Sequence, residues 1–256
     1  VLKRILQKRG ESQGIVHYYY YDKYDSPNIN FAMTIDNNGA LYHLDDNALK
    51  DESIYTTQLY ENLRRQRFSL PEAKTGNYIF YSTEIIRKFD AKRFPFFVKQ
   101  IFRENEPVLK KSIIIDLPAN QAPLNYLISD TATVKLKIEN SNNRKRYVFD
   151  AINLDAYIEE ENMPPLSEIF PTVTAALKND WRSVAAGFAG QFNEELAKTE
   201  ILNYQYDELR LNDKSRIERC RSIYNYILKN FKTLEIEPQY CFYGFSGLKK
   251  LANEMS

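Results

Sequence analysis

The stretch Tyr147–Trp181, YVFDAINLDAYIEEENMPPLSEIFPTVTAALKNDW, separates two parts of the chain with different residue patterns. It begins with a strand-like run, Tyr147-Val148-Phe149, and passes through three adjacent acids, Glu159–Glu161. It then turns at Met163-Pro164-Pro165 and reaches Trp181, where a helical period begins. The patterns predict an α+β protein, with an N-terminal antiparallel β-sandwich followed by a helical segment.

This division predicts three parts along the chain. We expect an all-β sandwich domain over residues 1–158 and an acidic, proline-containing joint over 159–178. Residues 179–256 are expected to form the helical part.

The composition limits the classes of function. A hydrophobic content of 43% and an aromatic content of 14% suffice for a packed core. The 35 basic and 34 acidic residues give a net charge of +1, so we expect no nucleic-acid partner. We also expect no transmembrane segment, because no apolar run approaches the roughly 18–20 residues that span a bilayer. The first residue is Val1 rather than methionine, which favours a processed or excised piece.

The strand predictions rest on alternation and on turn residues. Asn37-Asn38-Gly39 predicts a hairpin turn after the alternating run Phe31, Met33 and Ile35. A second hairpin turn is expected at residues 140–143. The strand before it alternates, with Val134, Leu136 and Ile138 predicted to point inward, and residues 144–149 are predicted to be its partner strand. The sequence also predicts a long strand over residues 78–86. The continuous run Ile113–Ile115 indicates a strand buried on both faces, and residues 46–67 are compatible with a short helix.

Helical spacing dominates after the joint. One helix is predicted from Trp181, with Asn179 or Asp180 as N-cap. A second begins after a cap at Asp213 and is held to its neighbours by one apolar stripe: Ile217, Cys220, Tyr224, Ile227, Leu228 and Phe231. A third helical segment is expected after Ser246-Gly247.

Several segments, in order, resemble one family. They are FSLPEAKTGNYIFYSTEI from Phe68, NEPVLKKSIIIDLP from Asn105, YVFDAINLDAYIEEENMPP from Tyr147, Trp181, and DKSRIERCRSIYNYILKNF from Asp213. The run from Phe68 to Ser256 resembles secreted bacterial proteins in which an all-β domain of unknown function precedes a transglutaminase-like domain. That resemblance implies a periplasmic or cell-surface location and a papain-like cysteine protease or acyl-transfer hydrolase.

The mechanism that the resemblance implies needs a cysteine nucleophile, a downstream histidine and an orienting acid. The histidines of this chain, His17 and His43, precede both cysteines, Cys220 and Cys241. We therefore assign no catalytic, cofactor-binding or metal-ligating residue within the 256 residues, and we expect no cofactor. The triad is expected beyond Ser256, or lost.

Each conspicuous residue has a structural and a functional interpretation. Both cysteines are expected to be packing residues, and Cys220 to be a buried thiol on the helix stripe. His17 and His43 are expected to be hydrogen-bonded strand or turn residues. The acids Glu159–Glu161 favour a solvated linker over a cation or partner site. Tyr18–Tyr21 favour a half-buried strand over a sugar-stacking or peptide-docking face.

Two hypotheses of function remain. In the first, the chain is the β-sandwich and the opening helices of a transglutaminase-like cysteine protease or acyl-transfer protein. In the second, it is a non-catalytic cell-envelope binding or scaffold protein. Such a protein would recognise a protein, peptide or glycan through a sandwich edge and the tyrosine-rich face.

Overall fold

The computed structural model describes residues 1–22, 24–54, 63–87, 96–177, 180–196, 209 and 211–230. Strands predominate in these residues, with a few helices, and the predicted α+β class is confirmed. The strands are β1 (Leu2–Arg4), β2 (Ile15–Tyr21), β3 (Asp25–Ile35), β4 (Leu41–His43), β5 (Lys50–Ser53), β6 (Leu63–Ser69), β7 (Tyr78–Arg87), β8 (Phe97–Ile101), β9 (Val108–Pro118), β10 (Asn125–Ile128), β11 (Lys135–Ser141), β12 (Arg144–Leu154) and β13 (Thr172–Ala176). The helices are α1 (Leu166–Ile169), α2 (Trp181–Leu196) and α3 (Arg216–Asn230), and two 3-10 helices span Lys8–Gly14 and Asp46–Ala48.

The chain divides into two compact units. The first unit comprises Val1–Phe89 with Phe192–Ser256, and the second comprises Asp90–Gln191. The first unit contains a four-stranded sheet in the order β1-β7-β3-β4 and a three-stranded sheet in the order β2-β6-β5. The second contains the sheets β10-β13-β8 and β11-β12-β9. The strand pairs in all four sheets are antiparallel.

The core of the first unit lies between its two sheets. Val16 of β2 and Phe68 of β6 pack with Ala32 of β3 and Ile79 of β7. Phe68 and Ile79 are completely buried. Since each fully buried large apolar side chain contributes about 1.5–3 kcal/mol, these side chains hold the two sheets face to face.

The second unit repeats this arrangement with different residues. Phe149 of β12 and Val173 of β13 are completely buried in one cluster with Phe102, Val134 and Tyr147. Strand β13 lies within residues 159–178, between β10 and β8 in its sheet.

Both predicted hairpins are confirmed. Gly39 adopts a φ of 85° between β3 and β4, a conformation that costs glycine little. The second hairpin joins β11 to β12, with Ser141 opposite Arg144. Asn142 and Asn143 both have positive φ, 49° and 59°, as a tight two-residue turn requires. The predicted long strand is also confirmed, as β7.

Three expectations about strands are wrong. Ile114 is 49% exposed while Ile115 is buried, so β9 packs through one face of its sheet. The run Ile113–Ile115 is apolar on both faces, but its sequence does not show which face is covered. Ile138 is 43% exposed although it lies opposite the buried Tyr147, and β11 is an edge strand of its sheet. The described residues of 46–67 form a 3-10 turn, β5 and part of β6, so residues 63–67 lie in a strand rather than in a short helix; residues 55–62 lie outside the described residues.

The helices begin close to their predicted positions, but their contacts differ from those expected. Helix α2 begins at Trp181, which is 86% exposed. Helix α3 is capped by Ser215 rather than Asp213: the Ser215 backbone N–H donates to Glu218 Oε2 at 2.9 Å, and the Glu218 N–H donates to Ser215 Oγ at 3.4 Å. This reciprocal pair is a capping box.

The apolar stripe on α3 does not hold the helix in place as predicted. Its members Ile217, Tyr224 and Leu228 are 72%, 62% and 63% exposed. Phe231 and the expected third helical segment lie outside the described residues. None of the helices in the described part of the chain has the length and apolar character needed to cross a membrane.

Candidate functional site

The two histidines and Cys220 lie on three separate elements. His17 is exposed on β2, with its ring 5.7 Å from that of Tyr19, and His43 is exposed on β4. Cys220 is an exposed free thiol on α3, so the expectation that it is buried is wrong. Cys241 lies outside the described residues.

The acidic residues Glu159–Glu161 are exposed and follow the end of β12. Among the described residues, no three histidine, cysteine, aspartate or glutamate side chains come together in a group that could hold a metal ion.

The tyrosine strand has two different faces. Strand β2 lies at an edge of the β2-β6-β5 sheet, where His17 and Tyr19 are exposed. Tyr18 and Tyr20 lie on the opposite face, which also carries the core residue Val16. Tyr18–Tyr21 thus form the partly buried edge strand that the sequence favours, with Tyr19 exposed to 41%.

Tyr18 and Tyr20 belong to a polar network across β2, β6 and β5. The Tyr20 hydroxyl donates to Asp51 Oδ2 at 2.5 Å, and the Tyr18 hydroxyl donates to Gln66 Oε1. Arg64 Nε donates to Asp51 Oδ1 at 2.7 Å, and Gln66 Nε2 donates to Asp51 Oδ2 at 3.3 Å. Asp51 is therefore the shared acceptor of three side chains.

This network shifts the acidity of its members. Burial, followed by the hydrogen bond to Asp51, raises the pKa of Tyr20 to about 12. Burial also opposes ionisation of Asp51, but the hydrogen bonds from Tyr20, Arg64 and Gln66 together outweigh it and lower the pKa of the carboxyl. Tyr20 therefore stays a neutral donor and Asp51 an anion near neutral pH. This is the protonation state of a structural network, because a general base needs a pKa near the working pH.

The second unit contains a cleft of about 760 Å³. Its polar lining comes from Arg103, Asp130, Thr133, Lys135, Asp150 and Asn153. Its apolar lining comes from Ala132, Ile152, Leu154, Ile169, Phe170 and Pro171. This volume lies within the range of about 300–1,000 Å³ that is usual for ligand-binding pockets.

The two acids of the cleft already have hydrogen-bond partners. Asp130 accepts bonds from the backbone N–H of Ala132 at 2.9 Å and from the Thr133 hydroxyl at 2.5 Å. The Thr133 hydroxyl bond is the main cause that lowers the pKa of Asp130. Asp150 accepts a hydrogen bond from the Ser112 hydroxyl.

The two cations of the cleft have fewer contacts. The Arg103 guanidinium carbon lies 5.3 Å from the centre of the Phe170 ring, and Nη2 lies 4.0 Å from Asp155 Oδ2. Asp155 is 91% exposed. Lys135 Nζ donates to the Thr131 carbonyl at 3.0 Å. The cleft thus offers cationic donors to a ligand.

Reasoning from the sequence did not find this cleft. Its lining comes from four short segments between residues 103 and 171, and none of them forms a recognised motif. Asn153 gave the one local signal: an asparagine near the end of a strand, here with a φ of 51°. Such positive φ values in non-glycine residues are enriched at functional sites, but they are not visible in a sequence alone.

The fold and these sites define a two-unit, antiparallel β protein with a partly buried tyrosine strand and a mixed cleft. Residues 1–158 match the DUF3857 family, described as a domain of unknown function with a solved structure. The chain therefore belongs to the DUF3857 family. The expectation of a β domain of unknown function is confirmed.

A solved structure from Parabacteroides distasonis ATCC 8503, described as a "putative protease", has a similar fold. The similarity has a TM-score of 0.75 at 17% sequence identity and covers 95% of this chain. The chain spans 48% of the length of that protein. Comparison with curated proteins gives no match.

Proposed function

We propose that this chain is the β-rich part of a transglutaminase-like cysteine protease or acyl-transfer protein of the bacterial cell envelope. In this proposal the β units position a substrate or a partner. The catalytic cysteine, histidine and acid lie outside these 256 residues, or have been lost. Residues 1–158 are proposed as the β domain, 159–178 as the joint, and 179–256 as the opening of the transglutaminase-like domain.

The observation that carries this proposal is the shared fold with the Parabacteroides protein, which extends over 95% of this chain but only 48% of the other. The cysteine and histidine positions support it. Cys220 is exposed on α3, whereas His17 and His43 are on the strands β2 and β4. A cysteine nucleophile needs a base within hydrogen-bond reach, and the hydrogen bonds of the described residues include none between Cys220 and a histidine.

The experiment compares the 256-residue chain with a longer protein that contains it. Each is incubated with a fluorogenic protein substrate and with an amine acceptor, before and after alkylation with iodoacetamide. The proposal expects alkylation-sensitive turnover from the longer protein and none from the 256-residue chain.

The control variant is Cys220→Ser in both proteins. It is expected to change neither result, because the exposed thiol has no assigned role. Turnover by the 256-residue chain that is lost in Cys220→Ser would contradict the proposal. If the longer protein is also inactive and has no alkylation-sensitive cysteine, the result supports the version of the proposal in which the catalytic triad has been lost.

One observation favours the second candidate, a non-catalytic binding protein. His17 and Tyr19 are exposed side by side on the edge strand β2, where a protein or a glycan has access to them. Binding to purified cell-wall glycan fragments, weakened by Tyr19→Ser but not by Tyr126→Ser, would support this candidate. Tyr126 is a suitable control because it is exposed to 43%, similar to the 41% of Tyr19. Equal binding by both variants would count against it.

A further inference from the structure

Strand β12 extends beyond its partner β11. The last pair between them joins Asp150 to Lys135, and β12 continues to Leu154. On its other side β12 stays paired with β9, with Ile152 opposite Lys110. Within the described ranges, therefore, one edge of β12 after Asp150 has no neighbouring strand. Alternate residues of an antiparallel strand direct both N–H and C=O to the same side, so this edge presents backbone donors and acceptors.

The cleft of the second unit borders this open edge. Lys135 and Asp150, the last pair of the ladder, line the cleft together with Ile152, Asn153 and Leu154. An extended segment entering the cleft would lie where β11 would continue. A cleft next to unpaired strand backbone is the geometry used when a peptide adds a strand to a sheet.

The apolar part of the cleft offers contacts for the side chains of such a segment. Ile152 is 62% exposed and Ile169 is 44% exposed, while Leu154 is buried. Ala151 and Leu154 are both buried although they are three positions apart, so the strand alternation shifts at Asn153, where φ is 51°. With this shift the Leu154 side chain is buried in the core, while the Ile152 side chain stays exposed to a ligand in the cleft.

The charges of the cleft favour a bound segment that carries an acidic side chain. Asp130 and Asp150 accept hydrogen bonds from neighbouring groups, as described above. Arg103 carries the donors of a guanidinium, and its acidic neighbour, the exposed Asp155, is 4.0 Å away. A carboxylate on the ligand would make a shorter, charge-assisted contact with Arg103.

We propose that the open edge of β12 and its cleft bind an extended peptide segment that carries an acidic side chain. The peptide backbone pairs with β12 after Asp150, its apolar side chains contact Ile152 and Ile169, and its carboxylate binds Arg103. This proposal is independent of cysteine chemistry, since it concerns the second unit alone.

The probe is a short fluorescein-labelled peptide of alternating valine and threonine with one central glutamate, titrated with the 256-residue chain by fluorescence anisotropy. We expect saturable binding that weakens at least about tenfold when the glutamate is replaced by glutamine. Arg103→Gln should cause a similar loss for the glutamate peptide and little for the glutamine peptide. The matched control is Lys99→Gln, an exposed cation on β8 that does not line the cleft; it should bind as the wild type does.

Two further measurements test the strand edge. A peptide with N-methylated backbone amides should bind at least about tenfold more weakly, because it lacks ladder donors. Ile152→Glu should abolish binding, whereas Ile114→Glu, at an isoleucine of similar exposure on β9, should not. Both sites are exposed, so both variants are expected to fold. On peptide addition, hydrogen exchange should slow at residues 151–154.

The proposal is overturned if no binding is detected up to about millimolar peptide. It is also overturned if the N-methylated peptide or free glutamate binds as well as the probe. Binding that is insensitive to both Arg103→Gln and Ile152→Glu would place the peptide elsewhere and would refute the site.

Discussion

The ion pair between Asp25 and Arg87 gives the sharpest test of how the first unit is held together. Asp25 Oδ1 accepts from Arg87 Nε at 2.6 Å, and Oδ2 accepts from Arg87 Nη2 at 2.8 Å. Oδ2 also accepts from the backbone N–H of Tyr21 at 2.9 Å. Since Asp25 begins β3, Arg87 ends β7 and Tyr21 ends β2, this carboxylate connects the two sheets of the unit.

Burial sets the size of the effect. The Asp25 side chain is 0% exposed, and the Arg87 side chain is 31% exposed. Removing one member of a buried pair costs about 3–5 kcal/mol, because the other charge is left desolvated. Partial access of water to Arg87 reduces this cost. We therefore expect Asp25→Asn to lower the free energy of unfolding of the first unit by roughly 2–3 kcal/mol.

The measurement is native-state hydrogen exchange of the amides of residues 26–35 and 78–86 as urea is increased. Fluorescence of Trp181 is a poor reporter, because its ring is already 86% exposed in the folded chain. Exchange also separates the first unit from the second, so two-state unfolding of the whole chain need not be assumed.

The matched control is Asp116→Asn, which removes a carboxylate from an exposed cross-strand pair. Arg144 Nε lies 2.9 Å from Asp116 Oδ1, but the two side chains are 49% and 38% exposed. This loss should be at most about 1 kcal/mol. If Asp25→Asn costs no more than Asp116→Asn, the burial argument is refuted.

Three further predictions concern single positions. Because the folded-state pKa of Tyr20 is raised from 10.0 to about 12, its contribution to stability is complete below pH 10.0 and is lost as the pH rises toward 12. Urea unfolding measured between these pH values should show a smaller loss of unfolding free energy in Tyr20→Phe than in the wild type. Gly14→Ala should lower the free energy of unfolding by about 1–3 kcal/mol, because a Cβ there would lie 2.3 Å from Ala73 Cβ. Urea titrations should show that the double variant with Ala73→Gly recovers part of this loss. Thr34→Val should raise the unfolding free energy by about 1 kcal/mol, because the fully buried Thr34 hydroxyl has no hydrogen-bond partner in the described structure; a thermal melt with a lower midpoint would contradict that reason.

Local turn and helix signals were readable from the sequence. The Asn142-Asn143 turn follows from the tolerance of asparagine for positive φ. The start of α2 at Trp181 follows from helical spacing. The cap of α3 was placed two residues too early, at Asp213, although Ser215 and Glu218 form the capping-box spacing in the sequence. That cap was predictable and was missed.

Burial was predicted less well, because a pattern shows which face is apolar but not what covers it. The apolar run Ile113–Ile115 suggested two covered faces, but Ile114 is exposed. Helix α3 has the spacing of a packed helix, yet Leu228 is 63% exposed. The candidate cleft was not predicted at all, since Arg103, Lys135 and Phe170 meet only through the sheet pairings of the second unit.

The sequence by itself determined the α+β class, the two hairpin turns, the long strand β7 and the starting region of each described long helix. These features depend on backbone preferences and side-chain periods within a few neighbouring residues. The tertiary structure alone decided the grouping of strands into four sheets, the contact of Asp25 with Arg87, and the open edge of β12 beside the cleft. Each of these depends on which distant strand lies alongside, and that choice is made by burial of whole sheet faces rather than by local preference.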